Sequence, residues 1–222
     1  MPSGIPKSHE NMEAPAGSQC TVYVVDDLET NRLHLNELLS RDGWRVTEFD
    51  SAQAFLDGFD ETKPFCVLLD VRMPDMSGLD LQKILNERGV VFPIIIVTAH
   101  ADVPMAISAM QAGAYDFIER PASNDLVLEK VAGAARESLV RYEELIHRNR
   151  LKARIGQLSP REMDVLEEMI KGEMNKQIAH TLSISERTVE VHRSNVMRKM
   201  EVRSLAELVR VMMQVRPSGS TG

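Results

Sequence analysis

Three aspartates stand directly after apolar, strand-like segments of the sequence. Asp26 and Asp27 follow the segment Thr21–Val25, and Asp70 follows Phe65–Leu69. Because parallel strands gather functional groups at their carboxyl ends, we expect these carboxylates to lie close together. Like charges at short distance repel unless they share a proton or a cation, and oxygen ligands favour Mg²⁺ or a similar hard ion. The pattern predicts a divalent cation site at one edge of a sheet.

The same residues predict a carboxylate that accepts a phosphoryl group. An aspartate can attack phosphorus as a covalent nucleophile, and Asp70 is placed to do so. Thr98 and Arg120 follow the next two strand-like segments and supply a hydroxyl and a fixed positive charge. That charge and the metal would neutralise a transferring phosphoryl group. A lone aspartate or threonine after a strand is usually a turn or capping residue, so the prediction depends on their joint occurrence.

The segments around these residues alternate between apolar strands and amphipathic helices. The alternation indicates a parallel sheet covered on both faces. Five strands and five helices predict an α/β fold, a doubly wound, flavodoxin-like domain over residues 19–136. The predicted strands are 21–25, 45–49, 65–69, 93–97 and 115–118, and the predicted helices are 28–40, 51–59, 77–88, 103–112 and 124–136.

After residue 136 the alternation of strand and helix patterns ends, and only helical patterns follow. Residues 137–156 combine many charges with helically spaced apolar residues, which predicts a helical linker that continues the preceding helix. Residues 157–216 show only helical patterns and predict a small all-α domain. Residues 1–18 and 217–222 show no periodicity, and we predict that both are disordered tails.

Composition and charge narrow the class of protein. Residues 157–222 carry 10 basic and 9 acidic side chains and the rest carry 16 and 24, so DNA binding would depend on local placement of basic residues. No run approaches the roughly 18 apolar residues that span a membrane, and we expect no secretory signal. The two cysteines, Cys20 and Cys66, form neither a disulfide framework nor a zinc spacing, which fits a reducing cytoplasm.

Two helical segments joined by a short polar turn are compatible with a DNA-binding helix-turn-helix. The segment 185–200 has one apolar face that packs inward, while its opposite face mixes cations, an acid and small side chains, as a base-reading face can. Lys199, beside that face, also suits a phosphate contact. An ordinary amphipathic helix with a solvated face is the open alternative. The predicted DNA-binding residues are Asn175, Lys176, Arg187, Thr188, Glu190, Val191, Arg193, Ser194 and Arg198.

Four motifs make the first domain resemble the receiver domain of two-component response regulators. They are VVDD, LLDVRMPDMSG, IIIVTAHADVPMA and AGAYDFIERP, and the second and third are close to those of the FixJ/StyR-like (NarL/LuxR) family. The resemblance implies that Asp70 is the phosphoacceptor. It further implies that Mg²⁺ is held by Asp26, Asp27, Asp70 and the backbone carbonyl of Arg72. It gives Thr98 the role of switch hydroxyl and implies three switch residues in all, Thr98, Phe117 and Arg120.

The sequence departs from the family pattern beside Pro121. The family has lysine where this chain has Arg120, and the usual phenylalanine after the proline is Ala122. Arginine keeps the charge and can bridge a phosphoryl group through two nitrogens, but it is bulkier and planar. We therefore expect phosphorylation with an altered coupling to the switch. The resemblance also implies a cis peptide bond before Pro121.

The second domain resembles the LuxR/NarL-type helix-turn-helix over residues 158–211. The motifs are LSPREMDVL, NKQIAHTLSISERTVEVHRSNVMRKM and VRSLAELVR. Ser183 replaces a common glycine, from which we expect a turn that does not need a left-handed residue. Glu190 replaces a frequent lysine or arginine, from which we expect a preference for the cytosine amino group. The resemblance implies a dimer through the last helix, with the apolar stripe Leu205, Leu208, Val209 and Met212.

These observations predict a cytoplasmic transcriptional regulator that is controlled by phosphorylation. The expected partners are a sensor histidine kinase, promoter DNA and RNA polymerase, with no membrane. Ile107 and Gln111 share one face of the fourth helix, and we expect a homodimer through that face when Asp70 is phosphorylated. Apart from accepting a phosphoryl group and removing it by itself, the receiver is expected to have no enzymatic activity.

Two alternatives remain. A phosphohydrolase or nucleotide-binding enzyme lacks support, because no glycine-rich loop follows the first strand and Arg72 stands where a second acid would be needed. A DNA-binding regulator whose receiver is a phosphate-independent protein-interaction module stays open because of Arg120.

Overall fold

Residues 19–215 are the part of the chain that the computed structural model describes. The predicted tails, 1–18 and 217–222, lie outside the described residues. The chain divides into two units, Met1–Tyr142 and Glu143–Gly222. Among residues 19–215, no helix is both long enough and apolar enough to cross a membrane.

A five-stranded parallel sheet forms the centre of the first unit, with strand order β2-β1-β3-β4-β5. This confirms the predicted doubly wound α/β fold. The first three strands have the predicted bounds, and β4 and β5 lie one residue later than predicted. The strands are β1 (Thr21–Val25), β2 (Arg45–Phe49), β3 (Phe65–Leu69), β4 (Ile94–Thr98) and β5 (Asp116–Glu119). The helices are α1 (Glu29–Arg41), α2 (Ala52–Gly58), α3 (Gly78–Glu87), α4 (Val103–Gln111) and α5 (Asn124–Gly156).

Burial and register of the central strands position the candidate site. Every residue of β1, β3 and β4 is buried, as expected for strands covered on both faces. Val25 at the end of β1 lies opposite Leu69 at the end of β3. The residues that follow these two strands, Asp26 and Asp70, therefore emerge side by side at the carboxyl edge of the sheet.

The helix α5 extends well beyond its predicted end and includes the whole predicted linker, residues 137–156. Ser138 is fully buried in the first unit, where it contacts Cys20. Leu151 is 1% exposed in the second unit. Ile155, near the end of the segment, packs against the apolar core of the second unit.

Four short helices complete the second unit around an apolar core. The inward apolar face predicted for the segment 185–200 is confirmed, because Val189, Val196 and Met200 are fully buried. These helices are α6 (Pro160–Ile170), α7 (Asn175–Leu182), α8 (Glu186–Lys199) and α9 (Leu205–Val215).

The expectation for Ser183 is wrong. This residue ends α7 in the left-handed conformation, with φ 55° and ψ 45°. The sharp end allows the N–H of Ile184 to bond the carbonyl of Ala179 at 3.0 Å, which satisfies a free carbonyl of the last helical turn. The turn thus demands a left-handed residue although the chain offers no glycine there.

The predicted dimer stripe of α9 is divided between core and surface. Leu208 and Met212 are 0% and 3% exposed and belong to the core of their own unit, so their assignment to a dimer surface is wrong. Leu205 is 37% exposed and Val209 is half-buried. Only these two of the four predicted residues lie where a partner could contact them.

Candidate functional site

Asp26 is buried at the carboxyl end of β1 and is held by the start of α1. Its Oδ1 accepts the backbone N–H of Leu28 at 2.9 Å. The side-chain amide of Asn31 donates to both carboxylate oxygens, at 3.2 and 3.1 Å, and Arg32 donates to the backbone oxygen at 2.6 Å. Asn31 and Arg32 were not predicted as site residues, and their place in the first turn of the helix after the acid pair is the signal that could have found them.

Asp70 follows β3 and faces the same edge. Its backbone N–H bonds the carbonyl of Val25 at 2.9 Å, which continues the pairing of β1 with β3. Its Oδ2 accepts the N–H of Arg72 at 2.7 Å. The residue is 7% exposed, so the carboxylate is nearly withdrawn from solvent.

Arg120 bridges the two buried carboxylates. Its Nη1 lies 2.9 Å from Oδ2 of Asp26, and its Nη2 lies 2.5 Å from Oδ1 of Asp70. Nη2 also reaches the carbonyl of Val97 at 3.5 Å, while the buried Nε has no partner among the described residues. The planar guanidinium thus supplies the positive charge that two adjacent carboxylates need.

The electrostatics of Asp70 follow from this surrounding. Burial, and then the charge of Asp26, raise the pKa of the Asp70 carboxyl above its usual value. The N–H of Arg72 and the guanidinium of Arg120 oppose that shift. The guanidinium therefore compensates only part of the charge of the two carboxylates, and removal of Arg120 would leave them without any compensation.

The structure brings together some of the predicted site residues and not others. Asp26, Asp70 and Arg120 are in direct contact, and Thr98 is buried at the end of β4, where its Oγ1 accepts the N–H of His100 at 3.3 Å. Asp27 is half-buried beside Asp26. Within residues 19–215, no three acidic, histidine or cysteine side chains form a group that could hold a metal ion. The predicted meeting of all three carboxylates is therefore not observed.

The chemical type of the available ligand atoms nevertheless suits a divalent cation. Carboxylate oxygens of Asp26, Asp27 and Asp70 stand at one edge of the sheet, and hard oxygen ligands are those that Mg²⁺ prefers. Arg120 occupies oxygens of two of these residues. A metal ion and the observed Arg120 pairing would therefore compete for the same oxygens.

The predicted switch and dimer residues lie on β5 and α4. Phe117 is half-buried in β5, opposite Ile96 of β4, and the peptide bond between Arg120 and Pro121 is cis, as the resemblance implied. On α4, Ile107 is 50% exposed and Gln111 is also exposed. Their common face is open to solvent in the first unit.

The predicted DNA-binding residues form an exposed surface on α7 and α8. Arg187, Glu190, Val191, Ser194 and Arg198 are all exposed on α8. The other predicted residues border this face: Lys176 is exposed, and Asn175, Thr188 and Arg193 are half-buried. Asn175 and Lys176 open α7, where free backbone N–H groups and the helix dipole favour an anion.

Two details modify this surface. The assignment of Lys199 to a phosphate contact is wrong, because its Nζ bonds Oε2 of Glu162 at 2.5 Å and the carbonyl of Gln157 at 3.0 Å. The Lys199 bond and the N–H of Ser159 lower the pKa of Glu162 to about 2. The backbone N–H of Thr188 donates to Oγ of Ser185 at 3.1 Å, so Ser185 caps α8 and fixes Thr188 at the border of the surface.

Two family models match the chain, one for each unit. Residues 22–132 match the response regulator receiver domain, and residues 156–212 match the bacterial regulatory proteins of the luxR family. The second match begins at the last residue of α5 and includes the whole of α7 and α8.

Similar proteins extend over most of the chain. The transcriptional regulatory protein FixJ of Bradyrhizobium diazoefficiens is 44% identical over 193 residues, which are 87% of this chain and 94% of that protein. The response regulator protein TmoT of Ectopseudomonas mendocina is 42% identical and covers 90% of this chain and 91% of its own length. The low-resolution structure of the response regulator StyR superposes with a TM-score of 0.76 at 40% identity, covering 88% of this chain and 99% of that one.

Proposed function

The chain belongs to the FixJ-like response regulators, the transcriptional regulators of two-component systems, and we propose that phosphoryl transfer to Asp70 controls its binding to promoter DNA. The observation that carries this proposal is the pair of buried carboxylates, Asp26 and Asp70, at one edge of the sheet with Arg120 between them.

The proposed reaction uses an oxygen of the Asp70 carboxylate as the nucleophile. That oxygen forms a bond to phosphorus while the bond between phosphorus and a histidine nitrogen of the sensor kinase breaks, and the leaving imidazole takes up a proton. Arg120 is placed to balance the charge of the acyl phosphate, and Thr98 is the hydroxyl that would bond it. Return of the phosphoryl group to water is the proposed self-dephosphorylation.

Receiver domains generally bind a divalent metal at this site, and we propose that Asp26, Asp27, Asp70 and the carbonyl of Arg72 hold it here. When bound, such an ion neutralises charge on the phosphoryl group. Arg120 would have to release the carboxylate oxygens that it now contacts. Since its guanidinium reaches the carbonyl of Val97 as well, it has an acceptor close by when it moves.

The second unit carries the proposed DNA contacts. The exposed face of α8 would lie in the major groove, with Val191 and Ser194 facing base edges and Lys176 and Arg193 facing phosphates. Binding to promoter DNA would present the regulator to RNA polymerase. Because its proposed target is promoter DNA and its proposed phosphodonor is a kinase, we place its action in the cytoplasm.

Phosphorylation is proposed to act through assembly. A bonded Thr98 and a repacked Phe117 would alter the α4 face that contains Ile107 and Gln111, and that face would form a homodimer. Two copies would then present their α8 helices to half-sites about one DNA turn, roughly 34 Å, apart. A differential stability of a few kcal/mol is enough to shift such an equilibrium strongly.

The experiment that tests the proposal measures acid-labile phosphate on the intact chain. Incubation with a small phosphodonor and Mg²⁺ should label the wild type, and Asp70→Asn should abolish the label. Asp75→Asn, which changes an exposed aspartate of the following loop, is the matched control and should keep it. Equal labelling of the Asp70→Asn variant would refute the assignment.

One observation favours a second function. Arg120 already pairs with both Asp70 and Asp26, so the positive group that would contact a phosphoryl group is engaged without phosphate. A receiver that works as a phosphate-independent protein-interaction module would show the same DNA affinity with and without the phosphodonor. Unequal affinities would exclude that function.

A further inference from the structure

The extension of α5 is attached to the first unit by two neighbouring side chains. Nη1 of Arg141 donates to the carbonyl of Val91 at 2.5 Å, and the hydroxyl of Tyr142 donates to the carbonyl of Thr62 at 2.9 Å. We call these two bonds the α5 clasp. They stand at the end of the first unit, whose last residue is Tyr142.

Each partner of the clasp is held in place by its own surroundings. Glu137, one turn earlier on α5, accepts a bond from Nε of Arg141 at 2.8 Å and so orients the guanidinium. The loop that contains Thr62 is fixed by Asp60, whose carboxylate accepts the N–H of Thr62 at 3.0 Å. The N–H of Asp60 is in turn bonded to the hydroxyl of Tyr23 at 3.0 Å. The clasp therefore joins α5 to ordered parts of the receiver.

The two carbonyls of the clasp stand just before β3 and β4, which are two of the strands that position the site. Thr62 stands three residues before β3, which ends next to Asp70, and Val91 stands three residues before β4, which ends in Thr98. Phe92, directly after Val91, packs on Phe65 at the start of β3 with ring centroids 4.3 Å apart. The paired strands β3 and β4 therefore link two places. A shift of their carboxyl ends at the site can reach the carbonyls of Thr62 and Val91, which precede their amino ends and hold α5.

Both acceptor residues are exposed, and Val91 is 44% exposed. Hydrogen bonds at exposed atoms open readily because water replaces the partner. The clasp can therefore exist closed or open without disturbing the core, which is what an element that transmits a signal requires.

We propose that the α5 clasp carries the phosphorylation state of Asp70 to α5, and through this helix to the DNA-binding unit. Arg141 and Tyr142 are then positioning residues, remote from the phosphoryl group and from DNA. The inference rests on the proposed function, since it presumes that phosphorylation changes DNA affinity.

The test compares DNA affinity of the full chain before and after treatment with a small acyl phosphate and Mg²⁺. The probe is a duplex recovered from genomic fragments by the treated wild type. Tyr142→Phe removes only the hydroxyl, and Arg141→Met removes the charged donor together with its pair to Glu137. Each should lower the phosphorylation-dependent gain in affinity by about threefold, the factor expected for loss of one ordinary hydrogen bond. The rate of labelling of Asp70 should stay unchanged.

Two further variants separate signalling from a structural effect. Arg141→Lys keeps one donor for the Val91 carbonyl and should restore most of the gain. Arg148→Met, an exposed arginine further along α5, is the matched control and should leave the gain unchanged. Hydrogen exchange of the α5 amides around Tyr142 should accelerate in the two clasp variants and not in the control.

The outcomes distinguish the two proposals. A wild type whose affinity does not change on labelling refutes the proposed function and the clasp's role with it. A wild-type gain that persists in both Tyr142→Phe and Arg141→Met refutes the clasp alone, whatever the hydrogen exchange shows. A reduced gain accompanied by slower labelling of Asp70 also refutes it, because the clasp would then act on the site and not on α5.

Discussion

Nη2 of Arg120 lies 2.5 Å from Oδ1 of Asp70, the oxygen of a carboxylate that is only 8% exposed. The same guanidinium uses its other nitrogen to hold Asp26 at 2.9 Å. Two acids that would otherwise repel share one internal cation, and a metal ion must compete with it. If the proposed metal and phosphoryl group bind here, Arg120 would limit metal binding as well as contact the phosphoryl group.

Arg120→Lys should therefore tighten Mg²⁺ binding. Lysine keeps the charge but presents one nitrogen where arginine presents a fork, so it cannot pair with both carboxylates in the same way. We expect the Mg²⁺ affinity, measured by titration calorimetry, to rise by about fivefold, which corresponds to about 1 kcal/mol of lost competing pairing. Arg136→Lys, at an exposed position of α5, is the control. An unchanged affinity in Arg120→Lys would show that charge alone, and not the two-nitrogen pairing, sets the competition.

The ion pair between Glu162 and Lys199 should make the second unit sensitive to acid. Because the pKa of Glu162 is lowered from 4.5 to about 2 in the folded chain, its carboxylate stabilises the fold above about pH 4.5 and loses this effect as the pH falls towards 2. Protection of α6 and α8 amides from hydrogen exchange should fall over that range in the wild type.

Over the same pH range, the protection of these amides should change little in Glu162→Gln, because glutamine does not titrate. At pH 7 this variant should be less stable than the wild type by about 1.5 kcal/mol, the usual size of a hydrogen bond to a charged group. Lys171→Met removes an exposed lysine from its pair with Glu168 and serves as the control, with the wild-type pH profile. A Glu162→Gln profile as steep as that of the wild type would assign the acid sensitivity to another group.

Much of this architecture follows from local pattern. The bounds of β1 and β3 are predictable because both are short runs in which every residue except Thr21 is apolar, and the structure buries them all. The pairing of Arg120 with Asp26 joins residues 94 positions apart, and the bond from Tyr142 to Thr62 joins residues 80 positions apart. Such contacts depend on how strands and loops meet in space, and nothing in the residues near either partner indicates them.

Ser183 shows a different limit of sequence reasoning. A serine in the turn suggests an ordinary backbone conformation, yet the packing of α7 against α8 imposes a φ of 55°. Tertiary structure here overrides the preference of a single residue, at a cost on the order of 1 kcal/mol.

Ser183→Gly should therefore stabilise the second unit. Glycine adopts the left-handed conformation without a Cβ clash, and we expect a gain of about 0.5 to 1 kcal/mol in the free energy of unfolding. Ser194→Gly, at an exposed interior position of α8, should destabilise by about 0.5 kcal/mol because glycine is a poor helix former. Chemical denaturation followed by circular dichroism measures both changes. A loss of stability in both variants would mean that the turn is not strained.

The exposed face of α4 supplies the last prediction, which concerns assembly. Ile107 is 50% exposed, and Val103 and Met110 on the same helix are 72% and 47% exposed. In a phosphorylated dimer this face would lose its contact with water, so a charge at its centre should be costly to bury. Ile107→Asp should keep the chain monomeric in sedimentation experiments with a beryllium fluoride adduct that mimics the phosphoryl group, under conditions in which the wild type dimerises. Leu33→Asp changes a residue of α1 that is equally exposed, at 51%, and should still dimerise. Two outcomes would show that the α4 face does not control assembly: dimerisation of Ile107→Asp as in the wild type, or equal dimerisation of the wild type without the mimic. The dimer contact would then be sought on α9, which has Leu205 and Val209 at its surface.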